Sequence, residues 1–156
     1  MKTANRAISS IFSTASPAET MRLAAAFARR LRGGEIIFLR GPIGAGKTVF
    51  VQGLAKALGM RAAPISASFS LMREYRSAKA RLFHIDLFRL APKDIANLGL
   101  ETLLEDESAV IAAEWPDASG EFFPPDRLEL EFALTGADGR KITAAAHGPS
   151  SRKLLK

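Results

Sequence analysis

The chain has 156 residues, a net charge of +6, no cysteine, and 47% apolar and 24% charged residues. This length suits one domain over 1–156, with 1–7 and 147–156 expected as flexible tails. The lack of cysteine excludes disulfides, thiolate metal sites and a cysteine nucleophile. The apolar runs are shorter than the roughly 18 residues that a membrane span requires. Serines interrupt the apolar pattern of the N-terminal segment, which therefore lacks the apolar core of a signal peptide, so we expect a cytoplasmic protein.

Positive charge is concentrated in the first part of the chain. Residues 1–61 carry a net charge of +8, whereas residues 62–156 carry −2. A basic half suits an anionic ligand, and Arg29-Arg30-Leu31-Arg32 and the Arg152-Lys153 pair would also suit RNA or an acidic protein. Because runs of charged residues usually lie on the solvated surface, the alternative stays open that these residues are solvated helix ends and a basic tail without a ligand.

A strand and a capped helix are the first predicted elements. Ile8 to Phe12 is a short strand candidate. The segment Ser16-Pro17-Ala18-Glu19 predicts a helix start, with serine as N-cap, proline in the first turn and glutamate as capping-box partner. One apolar face continues to Gly33-Gly34, where we expect the helix to end. A strand over Glu35 to Leu39 follows.

The next eight residues, Gly41 to Thr48, read Gly-Pro-Ile-Gly-Ala-Gly-Lys-Thr and match the phosphate-binding P-loop G-x-x-x-x-G-K-[ST]. In this motif the backbone N–H groups surround a phosphate, the lysine reaches the β- and γ-phosphates, and the Thr48 hydroxyl ligates Mg²⁺. The apolar strand before it and a helix over Val49 to Leu58 after it strengthen the match. The guanine-reading Asn-Lys-x-Asp motif is absent, which favours ATP.

The remaining chain continues to alternate between strands and helices. The predicted elements are a hairpin of 71–75 and 81–86, one or two short helices over 92–106 broken near Gly99, a buried strand over 110–113, and a hairpin of 127–134 and 141–146. This order predicts an α/β, P-loop NTPase-like fold. Its central sheet is mostly parallel and flanked by helices, with antiparallel hairpin additions.

Two carboxylates at predicted strand ends are candidates to work with the P-loop. Glu114 follows the apolar run Val110 to Ala113, in the manner of a Walker-B acid, and Asp86 ends the other apolar strand. A plain surface carboxylate is the alternative for each. His84 lies on the same side of its strand as Asp86, so either it orients that carboxylate or it is a half-buried structural histidine.

Several motifs together resemble the TsaE (YjeE) family over roughly residues 8–146. They are the P-loop, Ser66-Ala67-Ser68-Phe69-Ser70-Leu71, Arg73-Glu74-Tyr75, His84-Ile85-Asp86-Leu87-Phe88-Arg89-Leu90 and Glu114-Trp115-Pro116. The resemblance implies a small bacterial ATPase required for N6-threonylcarbamoyladenosine modification of tRNA position 37. It also implies action through the TsaB–TsaD transferase complex, indirect or weak contact with tRNA, and none with DNA or membrane.

The resemblance also implies roles for individual residues. Asp86 and Lys47 would be catalytic, Mg²⁺ would be held by Thr48, Glu114 and Asp86, and Trp115 would lie beside the nucleotide. The further positions implied to bind ATP or ADP are Gly41, Gly44, Ala45, Gly46, Thr48, Val49, Ser68, Arg140 and, as a weaker candidate, Thr20. For Arg140, an ordinary exposed turn residue is an equal alternative.

Three positions depart from the family pattern in ways that affect the site. Ala67 replaces a proline and Ser68 a threonine in a switch-like loop, which keeps the hydroxyl but removes the fixed φ of proline. Phe88 replaces the usual tyrosine. Pro42-Ile43 stands where the family has Asp-Leu, at positions that do not touch phosphate through side chains.

Hydrolysis by the isolated chain is expected to be weak, because the sequence offers no clear arginine finger beyond Arg73 and Arg89. A nucleotide-dependent order–disorder change of the 66–71 loop would then reset the transferase complex. Two other functions stay open at this point. One is a small-molecule kinase of P-loop type, and the other is a nucleotide-independent RNA-binding adaptor that uses the basic first half.

Overall fold

The computed structural model describes residues 6–65, 71–88, 90–116 and 122–156. These residues form a seven-stranded sheet in the order β1-β7-β6-β2-β5-β4-β3, with helices on its two faces. The strands are β1 (Ile8–Thr14), β2 (Ile36–Arg40), β3 (Met72–Arg76), β4 (Arg81–Asp86), β5 (Ala109–Glu114), β6 (Leu128–Leu134) and β7 (Arg140–Ala146). The helices are α1 (Pro17–Ala28), α2 (Lys47–Ala57), α3 (Pro92–Ala96), α4 (Leu100–Leu104) and α5 (Pro149–Lys153).

The centre of the sheet is parallel. Strands β6, β2, β5 and β4 run in the same direction, and β3, β7 and β1 add antiparallel pairs at the two sides. The predicted fold class is therefore confirmed. Glu114 at the end of β5 is in register with Leu39 of β2 and with Asp86 of β4, so the carboxyl ends of these strands meet beside the P-loop.

Each face of the central strands is buried against its own helices. Ile37 and Leu39 of β2 point into a core that includes Phe27 of α1 and Phe50 of α2. The alternate residues of β2 point into a second core with side chains of α3 and α4. Strand β5 is buried at all six positions, as expected for a parallel strand covered on both faces.

Helix α1 begins as predicted but ends earlier. The Ser16 hydroxyl accepts a hydrogen bond from the Glu19 N–H at 3.2 Å, which confirms the predicted N-cap. The helix ends at Ala28 rather than at Gly33-Gly34, because the chain tightens into i→i−3 hydrogen bonds, such as that from the Arg30 N–H to the Phe27 carbonyl at 2.9 Å.

The expected flexible tail over 147–156 is instead structured. Residues 149–153 form α5, and Leu154 is 1% exposed within the first core. Asp126 anchors α5, because its carboxylate accepts hydrogen bonds from the N–H groups of Ser150 and Ser151 at 2.8 and 3.0 Å. Of the expected N-terminal tail, residues 1–5 lie outside the described residues. In the described part of the chain, no helix is both long and apolar enough to cross a membrane.

Candidate functional site

The P-loop connects β2 to the N-terminus of α2, which begins at Lys47, two residues before the predicted start. Gly41 has a φ of +133°, and a Cβ there would lie 2.5 Å from the Phe132 carbonyl oxygen of β6. Gly46 precedes the helix in the left-handed conformation, with a φ of +96°. Only glycine fits such a backbone without strain. The loop is therefore folded tightly against the sheet, with the helix dipole directed at the space above it.

The Lys47 side chain lies within the P-loop and is 5% exposed. Its Nζ donates to the carbonyl oxygens of Gly41 at 2.6 Å and Pro42 at 3.0 Å, and it lies 4.3 Å from the centroid of the Trp115 ring. Burial lowers the pKa of Lys47 below its ordinary value, although the nearby carboxylates, Glu114 foremost, partly oppose this. The partners of this cation are dipoles and a ring face, so a phosphate anion would be a stronger partner.

Oxygen ligands lie next to this lysine. The Thr48 hydroxyl donates to Glu114 Oε1 at 3.3 Å, and Asp86 is the register neighbour of Glu114. Each of these carboxylates is 6% exposed. Hydroxyl and carboxylate oxygens suit Mg²⁺. Among the described residues, no group of three or more His, Cys, Asp or Glu side chains forms a metal site by itself. A Mg²⁺ here would therefore be shared with phosphate oxygens, as in other P-loop sites.

His84 lies beneath these ligands and differs from expectation. We expected its imidazole to orient Asp86 or to be half-buried, but it is 0% exposed and its Nε2 lies 2.8 Å from Glu114 Oε1. The Asp86 carboxylate accepts a hydrogen bond from the Phe88 N–H at 3.0 Å.

A cavity of about 320 Å³ opens above these groups. Trp115 and Phe88 form part of its wall, with their ring centroids 4.9 Å apart. Trp115 has a φ of +56°, which is unusual for a large side chain and typical of functional sites. The lining residues are Ile43, Gly44, Gly46, Lys47, Thr48, Val49, Leu71, Asp86, Phe88, Glu114 and Trp115. Most of the predicted site residues thus meet at one cavity.

Other predicted residues lie elsewhere. Thr20 is 2% exposed in α1 and its hydroxyl lies 2.9 Å from that of Thr14, so it is not part of the cavity wall. Arg140 does not line the cavity either; its guanidinium donates to the carbonyl oxygens of Ala45 at 3.0 Å and Gly44 at 3.1 Å, which braces the loop from behind. Ser68, its neighbour Ala67 and Arg89 lie outside the described residues.

Sequence reasoning missed two features of the site. Ile43, Leu71 and Phe88 form an apolar rim, and their exposed fractions are 81%, 37% and 53%. All three lie within the motifs quoted above, but nothing in those motifs indicated that their side chains form the apolar rim of a cavity. The link from His84 to Glu114 was also missed, although a prediction of β4 and β5 as parallel neighbours would have brought the two side chains near each other.

Comparisons with known proteins agree on one family. The family described as "Threonylcarbamoyl adenosine biosynthesis protein TsaE" matches residues 14–142. The tRNA threonylcarbamoyladenosine biosynthesis protein TsaE of Bacillus subtilis is 33% identical over 135 residues, covering 86% of this chain and 84% of the relative. That of Aquifex aeolicus is 36% identical over 126 residues, covering 80% and 86%. The crystal structure of YdiB from B. subtilis superposes with a TM-score of 0.81 at 30% identity, covering 96% of this chain and 93% of that one.

Proposed function

Because the chain belongs to the TsaE family of tRNA threonylcarbamoyladenosine biosynthesis, we propose that it binds ATP with Mg²⁺ and hydrolyses it weakly. Hydrolysis would be stimulated in the cytoplasm by a TsaB–TsaD transferase complex. The observation that carries the proposal is the convergence of Lys47, Thr48, Asp86 and Glu114 on one cavity above the N-terminus of α2.

The groups around the cavity suit a nucleoside triphosphate. The N–H groups at the start of α2 and the Lys47 ammonium would bind the phosphates, which requires Lys47 to leave the carbonyls of Gly41 and Pro42. Thr48 and Glu114 would hold Mg²⁺, which supplies charge neutralisation at the phosphates when bound. Asp86 would orient the attacking water. Trp115 and Phe88 would exclude solvent from one side.

The positions of the arginines support the proposal that hydrolysis by the isolated chain is weak. In the described part of the chain, no arginine lines the cavity, so charge on the transferred phosphoryl group would be stabilised by Lys47, the N–H groups at the start of α2 and the metal alone. An arginine supplied by a partner accelerates P-loop hydrolysis by about 10³-fold or more in other systems. The transferase complex is the partner that we propose to complete the site.

Phosphate release from ATP, with and without a TsaB–TsaD complex, tests this function. We expect Glu114→Gln and Asp86→Asn to lower the stimulated rate by about 100-fold, because the first removes a proposed metal ligand and the second the group proposed to orient the attacking water. ATP affinity should fall far less. Glu101→Gln, an exposed carboxylate on α4, is the matched control and should retain the wild-type rate.

Three outcomes would contradict the proposal. If Glu114→Gln and Asp86→Asn both hydrolyse ATP at the wild-type rate, the assignment of these two carboxylates to the hydrolytic site is wrong. Phosphate that appears on a small acceptor instead of in solution would favour a kinase. Binding of tRNA that Lys47→Ala leaves unchanged, in a protein without nucleotide affinity, would favour the RNA-binding adaptor.

A further inference from the structure

His84 is a polar side chain in an apolar place. It lies on β4, in register with Ala112 of β5, and it shares its strand face with Leu82. All three residues are 0% exposed. A buried imidazole costs free energy unless its nitrogens are hydrogen-bonded, and an aliphatic residue would pack here without that cost. The fold by itself therefore gives no reason for a histidine at this position.

The hydrogen bonding of His84 is directed at one group. Its Nε2 lies 2.8 Å from Glu114 Oε1, whereas Nδ1 is buried and has no partner among the described residues. Because the carboxylate oxygen accepts, we assign the proton to Nε2, which leaves Nδ1 as a bare lone pair rather than an unpaired donor. The histidine thus makes one polar contact in the described part of the chain, and that contact is with the proposed metal-binding carboxylate.

Both hydrogen bonds to the Glu114 carboxylate end on the same oxygen. Oε1 accepts from His84 Nε2 at 2.8 Å and from the Thr48 hydroxyl at 3.3 Å. In the described part of the chain, Oε2 accepts no hydrogen bond. A carboxylate that is fixed through one oxygen has its χ angles set, and its other oxygen remains available to a cation at the cavity.

We propose that His84 is a positioning residue, which holds the Glu114 carboxylate in the orientation that binds Mg²⁺ with nucleotide. This inference rests on the proposed function, because it assigns Glu114 to the metal. His84 itself does not line the cavity and would touch neither nucleotide nor metal. Partners that orient a metal ligand in this way usually change metal affinity by about 10–100-fold when removed.

The Mg²⁺ dependence of nucleotide affinity tests the role. The readout is the ratio of the ADP dissociation constant in EDTA to that in Mg²⁺, followed by the fluorescence of Trp115, the single tryptophan, on the cavity wall. We expect the ratio to fall about tenfold or more in His84→Leu, while ADP affinity in EDTA stays near wild type. His84→Gln, whose amide donates from nearly the position of Nε2, should restore most of the ratio.

Controls separate positioning from a contribution to folding. Tyr75→Phe removes another buried polar atom that has no partner among the described residues, from the adjacent strand β3, and should leave the ratio unchanged. In a Glu114→Gln background, His84→Leu should have little further effect, because the carboxylate it orients is gone. Should His84→Leu not fold, His84→Asn, which is too short to reach Glu114, carries the same expectation.

Different results would overturn the positioning role of His84 and the proposed function. A wild-type ratio in folded His84→Leu, or no recovery in His84→Gln, would overturn the positioning role and leave the proposed function standing. Equal losses of affinity in EDTA and in Mg²⁺ would also overturn it, since they indicate a general structural role. A ratio of one in the wild-type protein would overturn the proposed Mg²⁺ site itself.

Discussion

Two polar clusters in this fold each include buried side chains, and their hydrogen bonding differs. The cavity cluster consists of Lys47, Thr48, His84 and Glu114, and the terminal cluster consists of Asp126, Gly148, Ser150 and Ser151. In the cavity cluster a cation is held by carbonyls, and His84 Nδ1 lacks a partner among the described residues. In the terminal cluster both oxygens of Asp126 accept hydrogen bonds.

The pKa directions follow the same contrast. Burial lowers the pKa of Lys47, so the cavity disfavours the charge that it holds. Burial alone would raise the pKa of Asp126, but hydrogen bonds from Ser151 and Ser150 outweigh it and hold the pKa below its ordinary value. A satisfied network stabilises the fold, whereas an incompletely satisfied one is available to a ligand.

The largest expected effect comes from a substitution in the P-loop, which contributes Lys47 and Thr48 to the cavity cluster. Gly41→Ala places a Cβ 2.5 Å from the Phe132 carbonyl at a φ of +133°, and should lower the free energy of unfolding by roughly 2–6 kcal/mol. Gly44→Ala, at a φ of +78° with open space around it, should cost about 1–3 kcal/mol from strain alone. Urea unfolding measures both, and equal losses would show that the contact with β6 is unimportant.

Lys47→Met should separate ligand binding from stability. ATP affinity should fall by about 100-fold or more, since charge-assisted hydrogen bonds to phosphate are lost. The free energy of unfolding should change by less than about 1 kcal/mol, because the lost hydrogen bonds to carbonyls are offset by removal of a buried charge. Lys56→Met, at an exposed position of the same helix, is the control and should alter neither quantity. Calorimetric ATP titration and thermal unfolding give both values.

Asp126→Ala should show the opposite pattern. It removes the anchor of α5 and should lower the free energy of unfolding by about 1–2 kcal/mol, with ATP affinity unchanged. The pKa of Asp126 is depressed in the folded state, so the loss of unfolding free energy in the variant should be full at pH values above the ordinary pKa of 3.8. The loss should disappear as the pH falls through the folded-state pKa. Unfolding of both proteins between pH 7 and pH 2 measures this. A difference that persists at the acid end would contradict the carboxylate as the cause.

The smallest expected effect is that of Arg140→Lys, which tests the brace behind the P-loop. A lysine cannot reproduce the fork that donates to the carbonyls of Ala45 and Gly44, so ATP affinity should fall by about threefold to tenfold. Affinity equal to that of the wild type would mean that the loop keeps its conformation without the brace.

Local signals in the sequence predicted most of the fold. The P-loop has fixed spacing, and β5 is an apolar run ended by a carboxylate, as a doubly covered parallel strand requires. One or two short helices over 92–106, broken near Gly99, were also predicted, and the structure has two, α3 and α4, on either side of that glycine. These features depend on neighbours within a few residues, so periodicity and turn chemistry are sufficient to find them.

Apart from the ends of α1 and α2, what the sequence did not indicate are contacts between distant parts of the chain. Helix α5 was expected as a flexible tail because its anchor, Asp126, lies 24 residues before Ser150. His84 and Glu114 are 30 residues apart, and their hydrogen bond depends on the pairing of β4 with β5. The burial of Thr20 against Thr14 likewise follows from how α1 packs on β1, which the sequence pattern did not specify.

The most direct test is a calorimetric titration of the full chain with ATP, in Mg²⁺ and in EDTA. We expect saturable binding at one site per chain, tighter in Mg²⁺, because Thr48 and Glu114 offer oxygen ligands beside the P-loop. Absence of saturable binding under both conditions would contradict a nucleotide site at this cavity. Equal affinity in Mg²⁺ and in EDTA would contradict the metal-binding role of the cavity cluster.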